Sequence, residues 1–531
     1  MGSKKLQVWL PLLFAVVMIV GIMIGFQLKE KTMSPRFFSF SQRSSLQELT
    51  ELIKNRYVDK VQADSINELV SNQLLQHLDP HSVFIPSNDL AAVNEDMMGN
   101  FQGIGIEFRQ IRDTVHVMNI IAGGPAEKAG LQIGDQLLFV GDTIGITGKE
   151  VDIIKIRKLF RGSVGSKVKV RFKRGAVIKE VLITRDVILV SSIDAAYMPS
   201  PGVGYIRINK FAERTYEEFM QQLEKLQAAK MESLIIDLRG NGGGLMKEAV
   251  DIADEFLSDD KLIVYTEGEH TPRMDYRAKR PGLFEKGKLV VLIDETSASA
   301  SEVLAGALQD WERATIIGRR SFGKGLVQQQ FQLSSGAAVR LTVARYYTPL
   351  GRNIQKPYEA GIGKYKEELM ARFHPTDSTK KLDSILLLTA KVYKTASGKR
   401  VYGGGGITPD STVLFDSSLF KRASVVQILM SAGLSDYAYQ VYLSNKSYFA
   451  TFKTPESFNA LYQPDEMVWS GFIRFLAKEG ILLDKIDLSS KIFISNRLKA
   501  MISRQIWRSN GYFIVANEAD QTFKKALKTI K

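Results

Sequence analysis

Residues 294–330 read DETSASASEVLAGALQDWERATIIGRRSFGKGLVQQQ, and the apolar run before them, Leu289 to Ile293, has the look of a buried strand. A cluster of small hydroxyl residues, Thr296 to Ser301, follows it. Val303, Leu304, Ala307, Leu308 and Trp311 then recur on one face of a helix. A second short strand, Ala314 to Ile317, leads to the turn Gly323-Lys324-Gly325. Strand, helix and strand in this order predict an α/β unit. A serine at a helix N-terminus, with a lysine brought back beside it, has the ingredients of a nucleophile and its base. The same cluster could equally cap the helix, with Ser299 or Ser301 at the N-cap.

Outward from this unit, 531 residues exceed what one core usually serves, so the fold class is multidomain α/β (α+β). A hydrophobic fraction of 45% excludes a disordered chain. The absence of cysteine excludes disulfides, a thiol nucleophile and a cysteine-rich zinc site. The net charge of +14 would suit nucleic acid or an anionic surface, but the lysines are dispersed and no basic run is interleaved with aromatics. Nucleic-acid binding is therefore not expected.

Val8 to Leu28 is uncharged, with Lys4 and Lys5 before it and Lys29 and Lys31 after it. The length and flanks predict a single N-terminal transmembrane helix, with residues 1–36 forming a cytoplasmic tip and signal-anchor. Membrane attachment and an extracytoplasmic catalytic part follow, on the periplasmic side of the inner membrane if the source is a Gram-negative bacterium. Residues 37–96 read as an N-terminal helical region ended by Pro80. His77 and His81 flank that proline, which breaks the register that would align them on a metal, so no metal is expected.

Residues 97–190 change to a strand pattern. Gly124-Pro125-Ala126, Ala129-Gly130-Leu131 and Gly134-Asp135-Gln136-Leu137 make this block resemble a PDZ domain. Such a domain takes a peptide C-terminus as an added strand. Its backbone at Gly103, Ile104, Gly105 and Ile106 would cradle the terminal carboxylate, where a side chain would crowd the approach.

From Val203 a second series begins, and the buried strand Ser233 to Leu238 runs into Arg239-Gly240-Asn241-Gly242-Gly243-Gly244. The dinucleotide fingerprint fails because Leu245 stands at its third glycine position. Such a turn can instead aim backbone donors at an oxyanion. Gly318 to Gly325 nearly matches the nucleotide-binding P-loop. However, Gly325 replaces the metal-binding hydroxyl, and Val327, Gln329, Phe331 and Leu333 alternate as a strand where a helix should begin. The five histidines lie outside every serine-rich or glycine-rich motif, so a base beside the serines would have to be a lysine made neutral by burial.

Ser297-Ala298-Ser299-Ala300-Ser301-Glu302, Phe322 to Gln328, Asp237 to Gly244, the PDZ block and Asp79-Pro80-His81-Ser82 together resemble the C-terminal processing (tail-specific) peptidases. Arg345 to Arg352 and Gly406 to Asp410 extend the likeness in consistent order. The resemblance implies a mixed-sheet serine protease core with an inserted PDZ domain. It implies Ser299 as nucleophile, Lys324 as general base and Gln328 as the residue orienting that lysine. The oxyanion donors would be the N–H of Ala300 and of a glycine of the turn, Gly244. Substrates would be proteins or peptides with apolar C-terminal tails, cut through an acyl-enzyme without a cofactor. The protease core would occupy 191–356 and 401–416, around an insertion at 357–400, with a helical region at 417–531. A catalytically silent PDZ adaptor on the same fold is the alternative, and a homo-oligomer is left open.

Overall fold

In a computed structural model, the structure describes residues 14–24, 45–60, 63–148, 151–373, 390–414, 423–482 and 486–531. It divides into two compact units, Met1–Gln73 and Leu74–Lys531. In the first, residues 14–24 and Ser45–Arg56 are helical. Among the described residues no helix is long and apolar enough to cross a membrane. The expected transmembrane helix is corrected on this ground, and membrane attachment and the placement across a membrane, which rested on it, go with it. Residues 8–13 and 25–28 of that stretch lie outside the described residues.

In the second unit, the centre is a six-stranded mixed sheet ordered Ile193–Ser200, Val203–Ile208, Ser233–Asp237, Lys288–Ile293, Thr315–Gly318, Ser411–Thr412. The first pair is antiparallel and the others are parallel. Strands buried on both faces must be apolar at successive positions, and the four inner strands largely are. Ile206, Ile236, Val291 and Ile316 face one layer with Phe219, Leu223, Leu304 and Leu308 of the crossover helices. Tyr205, Ile235, Leu292 and Ile317 face the other, where Phe523, Ala526 and Ile530 of the C-terminal helix Gln521–Ile530 close it. The helix Ala300–Asp310 is buried all round, because it is the crossover between two central strands.

A second sheet runs Val83–Ile85, Ala338–Tyr347, Leu262–Gly268, Thr271–Arg277, with Leu326–Gln332 also paired to Ala338–Tyr347. Val83–Ile85 departs from the helical reading of this region. Three residues are too few for a period-two pattern, and only the long-range pairing to Ala338–Arg340 makes them a strand.

Residues 106–184 form a separate sheet, Ile106–Ile111, Thr114–Ile120, Gln136–Val140, Lys167–Arg174, Val177–Thr184, with Ile144–Gly145 on the third strand. The helices Pro125–Lys128 and Ile153–Phe160 accompany it over a core that includes Val117, Leu137, Ile156 and Val170. Of the segment read as an insertion, Ile362–Phe373 is helical and Val392–Lys394 pairs with Arg400–Tyr402, while residues 374–389 lie outside the described residues. The last part is helical from Ala423–Met430 onward, around Phe458, Phe472, Leu476, Ile494 and Leu498.

Candidate active site

The parallel strands Ser233–Asp237 and Lys288–Ile293 both end at the loops that carry the predicted chemistry. Three serines compete there, and their surroundings separate them. Ser297 and Ser301 are fully buried, and their hydroxyls donate to the carbonyls of Leu238 and Asn241, both 2.9 Å away. They pin the serine loop to the glycine turn. Ser299 is only partly buried and is the N-cap of Ala300–Asp310, with φ 55° and ψ −115°. A non-glycine residue costs on the order of 1–3 kcal/mol to hold there, and its neighbours hold it.

The principal neighbour is Glu302. Its buried carboxylate accepts the Ser299 N–H (2.9 Å) and the Lys324 N–H (2.9 Å) on one oxygen. The other oxygen accepts the Gly323 N–H (2.7 Å) and the Ser321 hydroxyl (2.5 Å). One side chain thus holds the serine loop and the lysine loop together. Burial pushes its pKa up to about 7, against the pull of the four hydrogen bonds. Tyr346 adds a second tie, with its hydroxyl 2.5 Å from the Lys324 carbonyl and 3.2 Å from that of Ser299.

Lys324 donates from Nζ to Gln328 Oε1 at 2.8 Å. The four-residue spacing works because Leu326–Gln332 is extended, so the segment after Gly325 is a strand and not the helix of a P-loop. Gln328 Nε2 in turn donates to the His81 carbonyl, which turns its oxygen toward the lysine. His81 sits in the Asp79–Ser82 turn, where Asp79 accepts the His81 N–H, the Ser82 N–H and the Ser82 hydroxyl. Enclosure lowers the Lys324 pKa, with the charge of Arg340 adding to it and Glu302 and Asp79 opposing. No hydrogen bond joins Ser299 Oγ to Lys324 Nζ among the described residues.

Asn241 organises the glycine turn. Its Nδ2 donates to the Ile208 carbonyl (3.0 Å), its Oδ1 accepts the Gly243 N–H (2.8 Å), and its carbonyl accepts the Ala298 N–H (3.0 Å). The N–H groups of Ala300 and Gly244 have no acceptor among the described residues. Gly243, which sequence reading did not single out, lies directly against the serine loop. A Cβ there would lie 2.6 Å from the Ala298 carbonyl oxygen, 2.8 Å from Ser299 Cβ and 3.0 Å from Ala300 N, at φ +97°. Gly243→Ala should therefore displace the turn and lower kcat by about a hundredfold, the scale of a lost oxyanion donor. Steady-state kinetics with a fluorogenic peptide checks this, and a kcat within about threefold of wild type would contradict it.

In the 106–184 sheet, the carbonyls of Ile104 and Gly105 accept from Ala126 and Ile121, at 2.9 and 3.0 Å. Their N–H groups have no acceptor among the described residues. Gly103 closes the strand Asn100–Gly103 and Ile106 opens Ile106–Ile111, so all four residues expected at the carboxylate lie in one bend.

Residues 202–363 match Peptidase family S41, residues 102–184 match the PDZ domain, and residues 425–508 match a family of unknown function, DUF8443. The chain is 33% identical over 334 residues to the "Carboxy-terminal-processing protease" of Bartonella bacilliformis, covering 61% of this chain and 74% of that protein. The chain belongs to the carboxy-terminal-processing serine proteases of peptidase family S41. A "Probable CtpA-like serine protease" of Staphylococcus haemolyticus is 34% identical over 57% of this protease and 60% of its own length. The "Carboxyl-terminal-processing protease" of Synechocystis is 36% identical over 49% of this protease and 61% of its own length.

Against this family frame, sequence reading missed Glu302, Gly243, Tyr346 and the His81 carbonyl. Only Glu302 had a usable signal, the S-x-x-E spacing of a capping box from Ser299.

Proposed function

We propose that this protease holds the C-terminus of a protein in the groove of its PDZ domain and cuts the chain by a serine–lysine acyl-enzyme mechanism. The observation that carries the reading is the enclosed Lys324, bonded to Gln328 and tied through Glu302 to the strained, partly exposed Ser299. Neutral Lys324 takes the Ser299 hydroxyl proton as Oγ adds to the scissile carbonyl. The oxyanion accepts the N–H groups of Ala300 and Gly244, which are otherwise unused among the described residues. The lysine ammonium then gives its proton to the leaving amine, and the C–N bond breaks. In the second half Lys324, neutral again, takes a proton from the water that adds to the acyl ester and returns it to Ser299 Oγ as the ester C–O bond breaks. Gln328 accepts from Nζ throughout, and the His81 carbonyl keeps its amide from turning over. Because Nζ rests on Gln328, substrate binding completes the alignment with Ser299 Oγ. The free N–H groups of Ile104 and Gly105 support capture of the terminal carboxylate at Gly103–Ile106.

The pH profile tests the base. A lysine is active when neutral, so kcat/KM should fall about tenfold per pH unit below the Lys324 pKa and level off above it. Burial lowers that pKa, which brings the rise below the range of an ordinary lysine. A kcat/KM constant from roughly pH 5 to 9 would reject lysine as the base.

A further inference from the structure

The strand Ile106–Ile111 pairs on one side with Thr114–Ile120, and its other edge pairs with no strand among the described residues. A cavity of about 310 Å³ lies between this strand and the helix Ile153–Phe160, lined by Ile104, Phe108, Ile153 and Phe160, with Arg157 among them. A second cavity, of about 500 Å³, begins at Arg109 on the same strand and is lined by Arg497 and Arg504. A peptide whose carboxylate sits at Gly103–Ile106 pairs with that other edge of the strand so that its upstream residues run toward Ile111. It therefore leaves the apolar groove beside Arg157 and reaches Arg109 and the second cavity next.

The guanidinium groups along this path are not equivalent. Arg109 is paired with Asp436 at 2.8 Å, and Arg504 with Glu107 at 3.2 Å. Arg157 and Arg497 are exposed, and no acidic side chain pairs with either among the described residues. Asp194, which also lines the second cavity, is already engaged by Asn209 at 2.9 Å and by Arg207. The apolar groove is thus followed by two unneutralised guanidinium groups, whose planar fork matches a carboxylate.

We infer that this protease selects substrates whose chain is acidic just upstream of the apolar C-terminal residues, with Arg157 and Arg497 receiving the acidic side chains. The inference rests on the groove reading given above.

Its test uses the full chain carrying Ser299→Ala, so that bound peptides survive. Three labelled peptides share one apolar C-terminal tripeptide and differ upstream, with Asp and Glu, with Asn and Gln, or with Lys. The acidic peptide should bind about fivefold more tightly than the amide one at low salt, the scale of two exposed ion pairs, and the lysine peptide more weakly than either. High salt should erase the differences. Adding Arg157→Ala and Arg497→Ala should abolish the difference in affinity between the acidic and the amide peptide. Equal binding of acidic and amide peptides, or a preference that survives both substitutions, overturns this inference alone. If none of the three binds, the groove reading falls and this inference with it.

Discussion

Ser299→Ala should lower peptide cleavage by about 10⁴- to 10⁶-fold, and Lys324→Ala should do the same, with the double variant no worse than either. Nucleophile and base act in one step, so losing one removes the step and the second loss has nothing left to remove. Neither side chain lines the PDZ groove, so affinity for a peptide with an apolar C-terminus should be unchanged in both. The neighbouring serines supply the control. Ser297→Ala and Ser301→Ala each break a buried hydroxyl–carbonyl bond, to Leu238 or Asn241, and should cost about 1 kcal/mol or somewhat more of stability. The nucleophile remains in both, so their kcat should fall by no more than about tenfold, far short of the Ser299 effect. Urea unfolding and kcat on the same four proteins separate the two classes. Cleavage by Ser299→Ala at the wild-type rate would remove the nucleophile assignment. A Ser301→Ala variant as dead as Ser299→Ala would show that the hydroxyl–turn contacts, rather than the choice of serine, dominate.

The parts of this site that sequence reading reached are those written as local periodicity. Leu289 to Ile293 is continuous and apolar because the strand lies between two parallel neighbours and is covered on both faces. Val327 and Gln329 alternate with Gln328, and that extended spacing brings Gln328 back to Lys324. What the sequence could not carry is contact between segments far apart in the chain. The Gln328 amide is oriented by a backbone carbonyl at His81, and a carbonyl has no residue identity to read. The serine cluster read as a possible helix cap, but three of the four groups on the Glu302 carboxylate come from Ser321 to Lys324, after a helix and a strand. Arg352 is buried against Asp310 at 2.5 Å, closing the end of the Ala300–Asp310 helix, a contact between segments 42 residues apart. The C-terminal helix showed only an amphipathic pattern, although Phe523 and Ala526 seal the far face of the catalytic sheet and Asp520 holds Arg239 just before the glycine turn. For the stretch over 8–28 hydropathy alone predicts a span, while among the described residues no helix is long and apolar enough to cross a membrane.

Glu302→Ala should lower kcat by about a hundredfold or more and destabilise the fold by several kcal/mol, because four donors lose the acceptor they share among the described residues. Ser299 N–H, Gly323 N–H, Lys324 N–H and the Ser321 hydroxyl all converge on this carboxylate. Without it, neither the strained serine nor the lysine loop is held. Glu302→Gln separates geometry from charge. Its amide oxygen can keep the Ser299 and Lys324 N–H groups and its NH₂ can donate to Ser321 Oγ, leaving the Gly323 N–H and the Ser321 O–H without this acceptor at about 1–3 kcal/mol each. Charge then acts on the lysine. The Glu302 carboxylate raises the Lys324 pKa, so removing it should move the acid limb of the pH–rate profile to lower pH. The stability profile has its own sign. Burial raises the Glu302 pKa from 4.5 to about 7, so the folded chain binds this proton more tightly than the unfolded chain. Its contribution to stability is fully present below about pH 4.5 and is lost as pH rises to about 7, a slope that Glu302→Gln should remove. Thermal melts across that window, with kcat/KM on the same samples, measure both effects. An unshifted acid limb together with an unchanged stability slope in Glu302→Gln would mean that the carboxylate is a geometric clasp only. A folded Glu302→Ala with near-normal kcat would deny it even that role.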